Sequence, residues 1–294
     1  MVPETNPSPT LVRMALQVSG EHAATFSAAL AQYVPWGWEE ESGTGGANLF
    51  TVHCDTFDQA RHILNSLRAH FPELQARLHE DKRQEWALSW RAFFHPLDIA
   101  ETFLVLPSWE RPDSSLCARK PIYIEPKMAF GTGHHATTAL CLEALAADRS
   151  TLDSSTPFLD LGTGSGILGI GCVQCGLHGL GLDTDPVAVA NAAENRTLNT
   201  ASTLELAVGG IESLSPSASF GLILANILAG PLQDMAGALV AHLRPGGRLI
   251  LSGILATQSE NVAQAYQSLG LGQPRILSQG EWVALYWPQT PLRC

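Results

Sequence analysis

Hydrophobic positions change rhythm along this chain. Over residues 1–90, short alternating runs take turns with helical spacings. Leu11 to Val18 alternates as a strand does, and Glu21 to Tyr33 is alanine-rich with apolar residues at helical spacing. Ala47 to Cys54 alternates again, with Leu49, Thr51 and His53 set against Phe50, Val52 and Cys54. Asp58 to Phe71 predicts a second helix closed by Pro72, and Glu85 to Phe94 a third, aromatic-rich strand. Trp36-Gly37-Trp38 and Gly43 to Gly46 read as turns. Strand–helix–strand–helix–strand in this span predicts a small α+β unit of ferredoxin-like kind.

The pattern loosens between Phe94 and Pro126, where Pro96, Pro107, Pro112, Pro121 and Pro126 punctuate it. A linker is expected at 91–105, with short strands at Phe103–Leu106 and Ile122–Glu125 leading into a second domain at 106–294. There the apolar runs become continuous, as in parallel strands buried on both faces. Phe158–Leu161, Gly179–Asp183, Leu204–Val208, Phe220–Ala225 and Arg248–Ser252 predict five such strands. Helices are expected between them, including one opened by Asp185-Pro186 and running to Leu198, then Leu232–Leu243 and Thr257–Leu269. The last two strands, Pro274–Ser278 and Trp282–Trp287, are separated by too few residues for a crossover helix. They must form an antiparallel hairpin. The fold class predicted is therefore α/β, a seven-stranded Rossmann-like sheet preceded by the small α+β unit.

Candidate chemistry gathers at the end of the first of these strands. In Phe158-Leu159-Asp160-Leu161-Gly162-Thr163-Gly164-Ser165-Gly166 an apolar run ends in an acid, and glycine then takes every second position. Five glycines fall between Gly162 and Gly171, a density that suits a backbone lying flat against a ligand. The helix that follows adds unpaired N–H groups and a positive dipole end. Asp160 with Gly162, Gly164 and Gly166 fits an S-adenosylmethionine loop, while Gly164, Gly166 and Gly169 fit a dinucleotide loop. Asp183 ends the next strand, where an acid can accept both ribose hydroxyls of either nucleoside. Asn226 ends the strand Phe220–Ala225 beside the cofactor's reactive end. Upstream, Phe130-Gly131-Thr132-Gly133 leads into a helix that Thr137 or Thr138 can cap.

Composition narrows the function further. The chain has 294 residues, 45% hydrophobic, with a formal net charge of −11. That acidity offers no basic stripe for phosphates, so no direct nucleic-acid partner is expected. Met1 to Thr10 is polar and proline-rich, without the features of a secretory leader, and no apolar run reaches membrane-span length. A soluble, cytoplasmic, monomeric protein is expected. Cys172-Val-Gln-Cys175 has no second pair to complete a zinc site, so no metal is expected and the two thiols read as core packing.

Four blocks taken in order carry a family resemblance. They are Ala129 to Gly133 with Thr137 to Glu143, Asp160 to Gly169, Gly181-Leu182-Asp183-Thr184-Asp185-Pro186, and Ala225 to Leu232. Together they resemble the ribosomal protein L11 methyltransferase family, within the class I S-adenosylmethionine-dependent methyltransferases. The resemblance spans Phe94 to Trp287, with only the layout of residues 1–90 matching the family's substrate-recognition domain. It implies a protein N-methyltransferase that moves methyl groups from S-adenosylmethionine to α-amino and lysine ε-amino groups of ribosomal protein L11. It also implies cofactor contacts at Thr138, Gly162, Asp183 and Asn226, and a methyl-transfer pocket lined by Phe130 and Thr132 beside Asn226. Asp160 and Gly164 join them as loop residues. His134 and Ala136 stand where the family usually shows threonine and proline. The alternatives are lysines of another protein as substrate and, from the dinucleotide reading of the loop, an NAD-dependent oxidoreductase. Asn226-Ile227-Leu228-Ala229 stands where relatives acting on glutamine carry N-P-P-Y, which favours an amine over a planar amide. His134 and His135 are the candidate proton acceptors near this site.

Overall fold

A computed structural model describes residues 10–34, 37–42, 47–82, 95–110, 118–125, 135–149 and 151–290. The chain divides into two compact units, Met1–Phe94 and His95–Cys294.

The first unit contains β1 (Thr10–Ser19), α1 (Ala23–Tyr33), β2 (Glu39–Ser42), β3 (Ala47–Cys54), α2 (Phe57–His70) and β4 (Gln75–Lys82). Its sheet has the order β2-β3-β1-β4, antiparallel throughout. This is the order of a split β-α-β-β-α-β ferredoxin-like unit. Met14, Leu16, Phe50 and Val52 from the sheet meet Phe26, Leu30, Ile63 and Leu67 from the helices in one core. Thr56 caps α2, its hydroxyl accepting from the Gln59 N–H at 3.2 Å. Two edge strands depart from the sequence reading. β2 arises in the stretch expected to turn, because Glu39 to Ser42 has no apolar residue to alternate and is fixed only by pairing with β3. β4 offers only Ala76 and Leu78 as half-buried apolar positions. The expected strand Glu85–Phe94 lies outside the described residues.

The second unit is built on a seven-stranded sheet. Its strands are β8 (Pro157–Leu161), β9 (His178–Asp183), β10 (Leu204–Val208), β11 (Phe220–Asn226), β12 (Leu243–Leu255), β13 (Arg275–Gln279) and β14 (Trp282–Trp287). Their order is β10-β9-β8-β11-β12-β14-β13. β8 to β12 run parallel, and β14 lies antiparallel between β12 and β13. The direction of winding reverses between β8 and β11, which opens a crevice above the carboxyl ends of those two strands. The helices are α3 (Ala136–Asp148), α4 (Ile167–Gln174), α5 (Pro186–Leu198), α6 (Ala229–Asp234), α7 (Ala236–His242) and α8 (Ser259–Gln267). The single helix expected over Leu232–Leu243 is two, meeting at Met235.

Each face of the sheet is buried. Ile223, Leu251, Tyr266 and Trp287 belong to one core, and Phe158, Leu168, Leu224 and Tyr286 to the other. A smaller sheet of β5 (Leu97–Ile99), β6 (Phe103–Pro107) and β7 (Lys120–Ile124) adds Phe103, Val105, Ile122 and Ile124 to the second core. Residues 97–99 and 103–105 of the expected linker are therefore strand. Ala100 and Glu101 turn the β5–β6 hairpin with φ of 50° and 49°, in the left-handed region that disfavours residues with a Cβ. Among the described residues no helix is long and apolar enough to cross a membrane.

Candidate active site

Gly162, Gly164 and Gly166 follow β8 with φ of 73°, 55° and 81°, which is why this turn is made of glycine. A Cβ on Gly162 would also stand 2.5 Å from the Ile227 side chain. The loop's amides are largely committed within the protein. The N–H groups of Gly162 and Thr163 donate to the Leu182 carbonyl, at 2.8 and 2.9 Å, and that of Gly166 to the Thr163 carbonyl at 2.8 Å. The Gly164 N–H donates to Asp183 Oδ2 at 2.9 Å. A pyrophosphate, by contrast, needs such amides free to donate to it.

Asp160 lies beneath this loop, fully buried. Its Oδ2 accepts from the Thr163 hydroxyl at 2.6 Å and from the Gly169 N–H at 2.9 Å. Gly169 is the third residue of α4, and the residue at the helix's N-cap is Gly166, which has no side chain to cap it. The acid of the preceding strand does that work from a distance. Burial raises its pKa from 3.8 to about 6, against the pull of the Thr163 and Gly169 hydrogen bonds. Thr163 was not singled out in the sequence. Its signal was present, a hydroxyl three residues after a buried acid.

Asp183, at the end of β9, is half-buried. Its Oδ1 accepts from the Asp185 N–H at 3.0 Å while Oδ2 holds Gly164. Each carboxylate oxygen keeps lone-pair capacity for a further donor.

Asn226 ends β11. Its Nδ2 donates to the Thr138 hydroxyl at 3.3 Å, and its Oδ1 is buried with no hydrogen-bond partner among the described residues. Thr138 does not cap α3 as expected. The N-cap is His135, whose Nδ1 accepts from the Thr137 N–H, so both threonines lie inside the first turn and are buried. The His135 ring packs edge-on against Trp282, and burial lowers its pKa. The strand ends converge tightly here. The Ile227 N–H donates to the Ser252 carbonyl, and a Cβ on Gly253 would meet the Ile227 carbonyl oxygen at 2.2 Å. Phe130, Thr132 and His134 lie outside the described residues. Cys172 is buried and Cys175 half-buried, and burial raises both thiols.

The residues present fit a nucleoside with an amino-acid arm. Asp183 offers a carboxylate at the crevice rim, and Asn226 offers an orphaned buried oxygen at the other end of the β8–β11 switch point. The sheet decides between the two cofactor classes that the glycines left open. A dinucleotide fold continues with a sixth parallel strand, whereas here β14 is inserted antiparallel between β12 and β13. With loop amides already donated to protein acceptors, this is the architecture of a class I S-adenosylmethionine-dependent methyltransferase.

Comparison with known proteins narrows the class. The model of the family described as ribosomal protein L11 methyltransferase matches residues 37–290 and so reaches into the first unit. A ribosomal protein L11 methyltransferase of Trichlorobacter lovleyi is 38% identical over 253 residues, covering 82% of this chain and 81% of that protein. One from Pseudomonas putida is 38% identical over 239 residues, covering 81% and 78%. The crystal structure of a ribosomal protein L11 methylase from Lactobacillus delbrueckii subsp. bulgaricus superposes with a TM-score of 0.58 at 27% identity, covering 66% of this chain and 97% of that one. The chain belongs to the ribosomal protein L11 methyltransferase family.

Proposed function

We propose that this chain methylates ribosomal protein L11 on α-amino and lysine ε-amino groups, with Asp183, Gly162, Gly164 and Thr138 holding the methyl donor and Asn226 receiving the amine. The observation that carries the reading is the buried Asn226 Oδ1 at the switch point, without a hydrogen-bond partner among the described residues. When bound, S-adenosylmethionine supplies an electrophilic methyl on a sulfonium. The chain's own task is alignment and exclusion of water. Asp183 accepts from the ribose hydroxyls with the lone pairs not used by Gly164 and Asp185. Thr138 accepts from the Asn226 NH₂, which leaves Oδ1 as the group to accept from the incoming nitrogen.

The amine must attack in its neutral form, because an ammonium has no lone pair, yet a lysine of pKa about 10.4 is mostly charged near pH 7. A neutral oxygen such as Asn226 Oδ1 accepts an N–H without stabilising the ammonium as a carboxylate would. The proton leaves to water before attack. His135 is not placed to take it, because its Nδ1 is engaged by Thr137. Asp160 acts through the loop it holds. Phe130 and Thr132 line the transfer pocket in this reading, and the first unit recognises the protein substrate. The chain works as a monomer without direct contact to nucleic acid, consistent with its charge of −11.

Mass spectrometry of L11 incubated with the enzyme and the donor tests the substrate. Asn226→Ala is expected to lower kcat about a hundredfold while leaving the Kd for S-adenosylhomocysteine within a few-fold of wild type. Unchanged turnover would remove Asn226 from its role, and an unmodified L11 would remove the substrate.

A further inference from the structure

Helix α5 carries Asn195 on its buried face, and Asn199 one turn on is its C-cap; they are 0% and 8% exposed. Both reach across to β7 and pair with its free edge. Asn199 Oδ1 accepts from the Tyr123 N–H at 2.7 Å, and Asn199 Nδ2 donates to the Tyr123 carbonyl at 2.6 Å. Asn195 Oδ1 accepts from the Glu125 N–H at 2.9 Å. Four residues of helix rise about 6 Å and two residues of strand about 6.6 Å, so the two ladders stay in step. The asparagine amides stand in for a missing neighbouring strand.

The two side chains then differ. Asn195 Nδ2 does not return to β7 but donates to the carbonyl of Ser165, in the glycine loop, at 2.9 Å. Asn199 Nδ2 turns back to its own helix, to the Asn195 carbonyl at 2.8 Å. Beside Asn195 on α5, Ala192 sits 3.2 Å from where a Cβ on Gly166 would fall, so the same helix face presses on the loop twice. The start of α5 also follows directly from Asp183, which holds Gly164.

We infer that Asn195 is a positioning residue for the methyl donor, holding the glycine loop against β7 so that Gly162 to Gly166 and Asp183 keep one geometry before the donor arrives. The inference rests on the proposed use of S-adenosylmethionine. Asn199 is its internal control, bound to Tyr123 by two hydrogen bonds where Asn195 makes one to Glu125, but without contact to the loop. Loss of either amide leaves buried backbone groups without partners and lowers stability. Only loss of Asn195 frees the loop.

The experiment compares Asn195→Ala and Asn199→Ala in the full chain. Melting temperature, Kd for S-adenosylhomocysteine by calorimetry, and hydrogen exchange of the Gly164 and Gly166 amides without ligand are measured. Both variants are expected to melt earlier, Asn199→Ala at least as much, because it loses three side-chain hydrogen bonds to the two lost in Asn195→Ala. Asn195→Ala is expected to bind S-adenosylhomocysteine roughly tenfold more weakly and to exchange its loop amides faster. Asn199→Ala should change neither by more than about twofold. Equal weakening in the two variants, or none in Asn195→Ala, overturns the inference. If Asn195→Ala does not fold, Asn195→Ser, a neutral side chain too short to bridge Glu125 and Ser165, carries the same comparison. Wild-type enzyme that fails to bind S-adenosylhomocysteine would instead refute the cofactor reading, and the loop exchange rates would still decide the role of Asn195.

Discussion

Asp160 and Asp183 sit at the ends of neighbouring parallel strands, β8 and β9, and both are joined to the same glycine loop. Their environments separate their roles. Asp160 is fully buried and spends one oxygen on the Thr163 hydroxyl and the third amide of α4. Asp183 is half-buried, holds one amide with each oxygen, and stays accessible from the crevice. The same side chain near the end of each strand thus builds the loop in one case and faces the ligand in the other, Asp160 standing level with Gly181 and Asp183 two residues beyond it. What decides is depth: the partners Asp160 has are inside the protein, both on Oδ2, while its buried Oδ1 has none among the described residues.

The sharpest way to break this contrast is Asp183→Ala. It removes charge-assisted bonds worth about 1.5–3 kcal/mol each, so the Kd for S-adenosylhomocysteine should rise about a hundredfold, and the lost Gly164 and Asp185 contacts should lower the melting temperature by less than that loss of affinity implies. A loss of stability matching the loss of affinity would erase the distinction between the two acids.

Asp160→Asn probes the other side. A carboxyl whose pKa is raised on folding binds its proton more tightly in the folded chain, so stability falls as pH climbs from about 4 through about 6. The asparagine does not titrate. The stability of Asp160→Asn relative to wild type should therefore improve by on the order of 2 kcal/mol between pH 4 and pH 7. Urea unfolding of both proteins across that range checks this, and parallel pH profiles would deny the burial of the charge.

A smaller effect lies away from the site, at the β5–β6 turn. Ala100→Gly relieves a left-handed alanine and should stabilise the chain by up to about 1 kcal/mol without altering donor affinity. A change in affinity there would mean that the comparison of the two acids omits a coupling through the small sheet.

Much of this was legible in the residues. The central parallel strands β8, β11 and β12 show as nearly unbroken apolar runs because each is covered on both faces, and the last hairpin shows because its connection is too short for a helix. The glycines at 162, 164 and 166 announce a turn that only glycine can take, and Asp183 and Asn226 stand at strand ends where a crevice forms. Less visible were β2 and β4, polar edge strands whose pairing comes from β3 and β1 rather than from their own alternation. The cap of α3 was misplaced by two or three residues, since His135 competes for that position with better-known capping types. Asn195 and Asn199 carried a signal in their four-residue spacing, but the sequence does not say what such a pair faces.

The chain's own order of residues thus determined the layers, the strand sequence and the chemistry available at the crevice, because these follow from local periodicity and from backbone angles that few residues tolerate. Tertiary structure alone decided which acid is spent on the loop and which is left for a ligand, that the Asn226 oxygen is left unpaired among the described residues, and that Asn195 reaches the loop while Asn199 does not. Those outcomes depend on depth and on partners distant in the chain, as Asn195 is from both Ser165 and Glu125, and no local pattern encodes them.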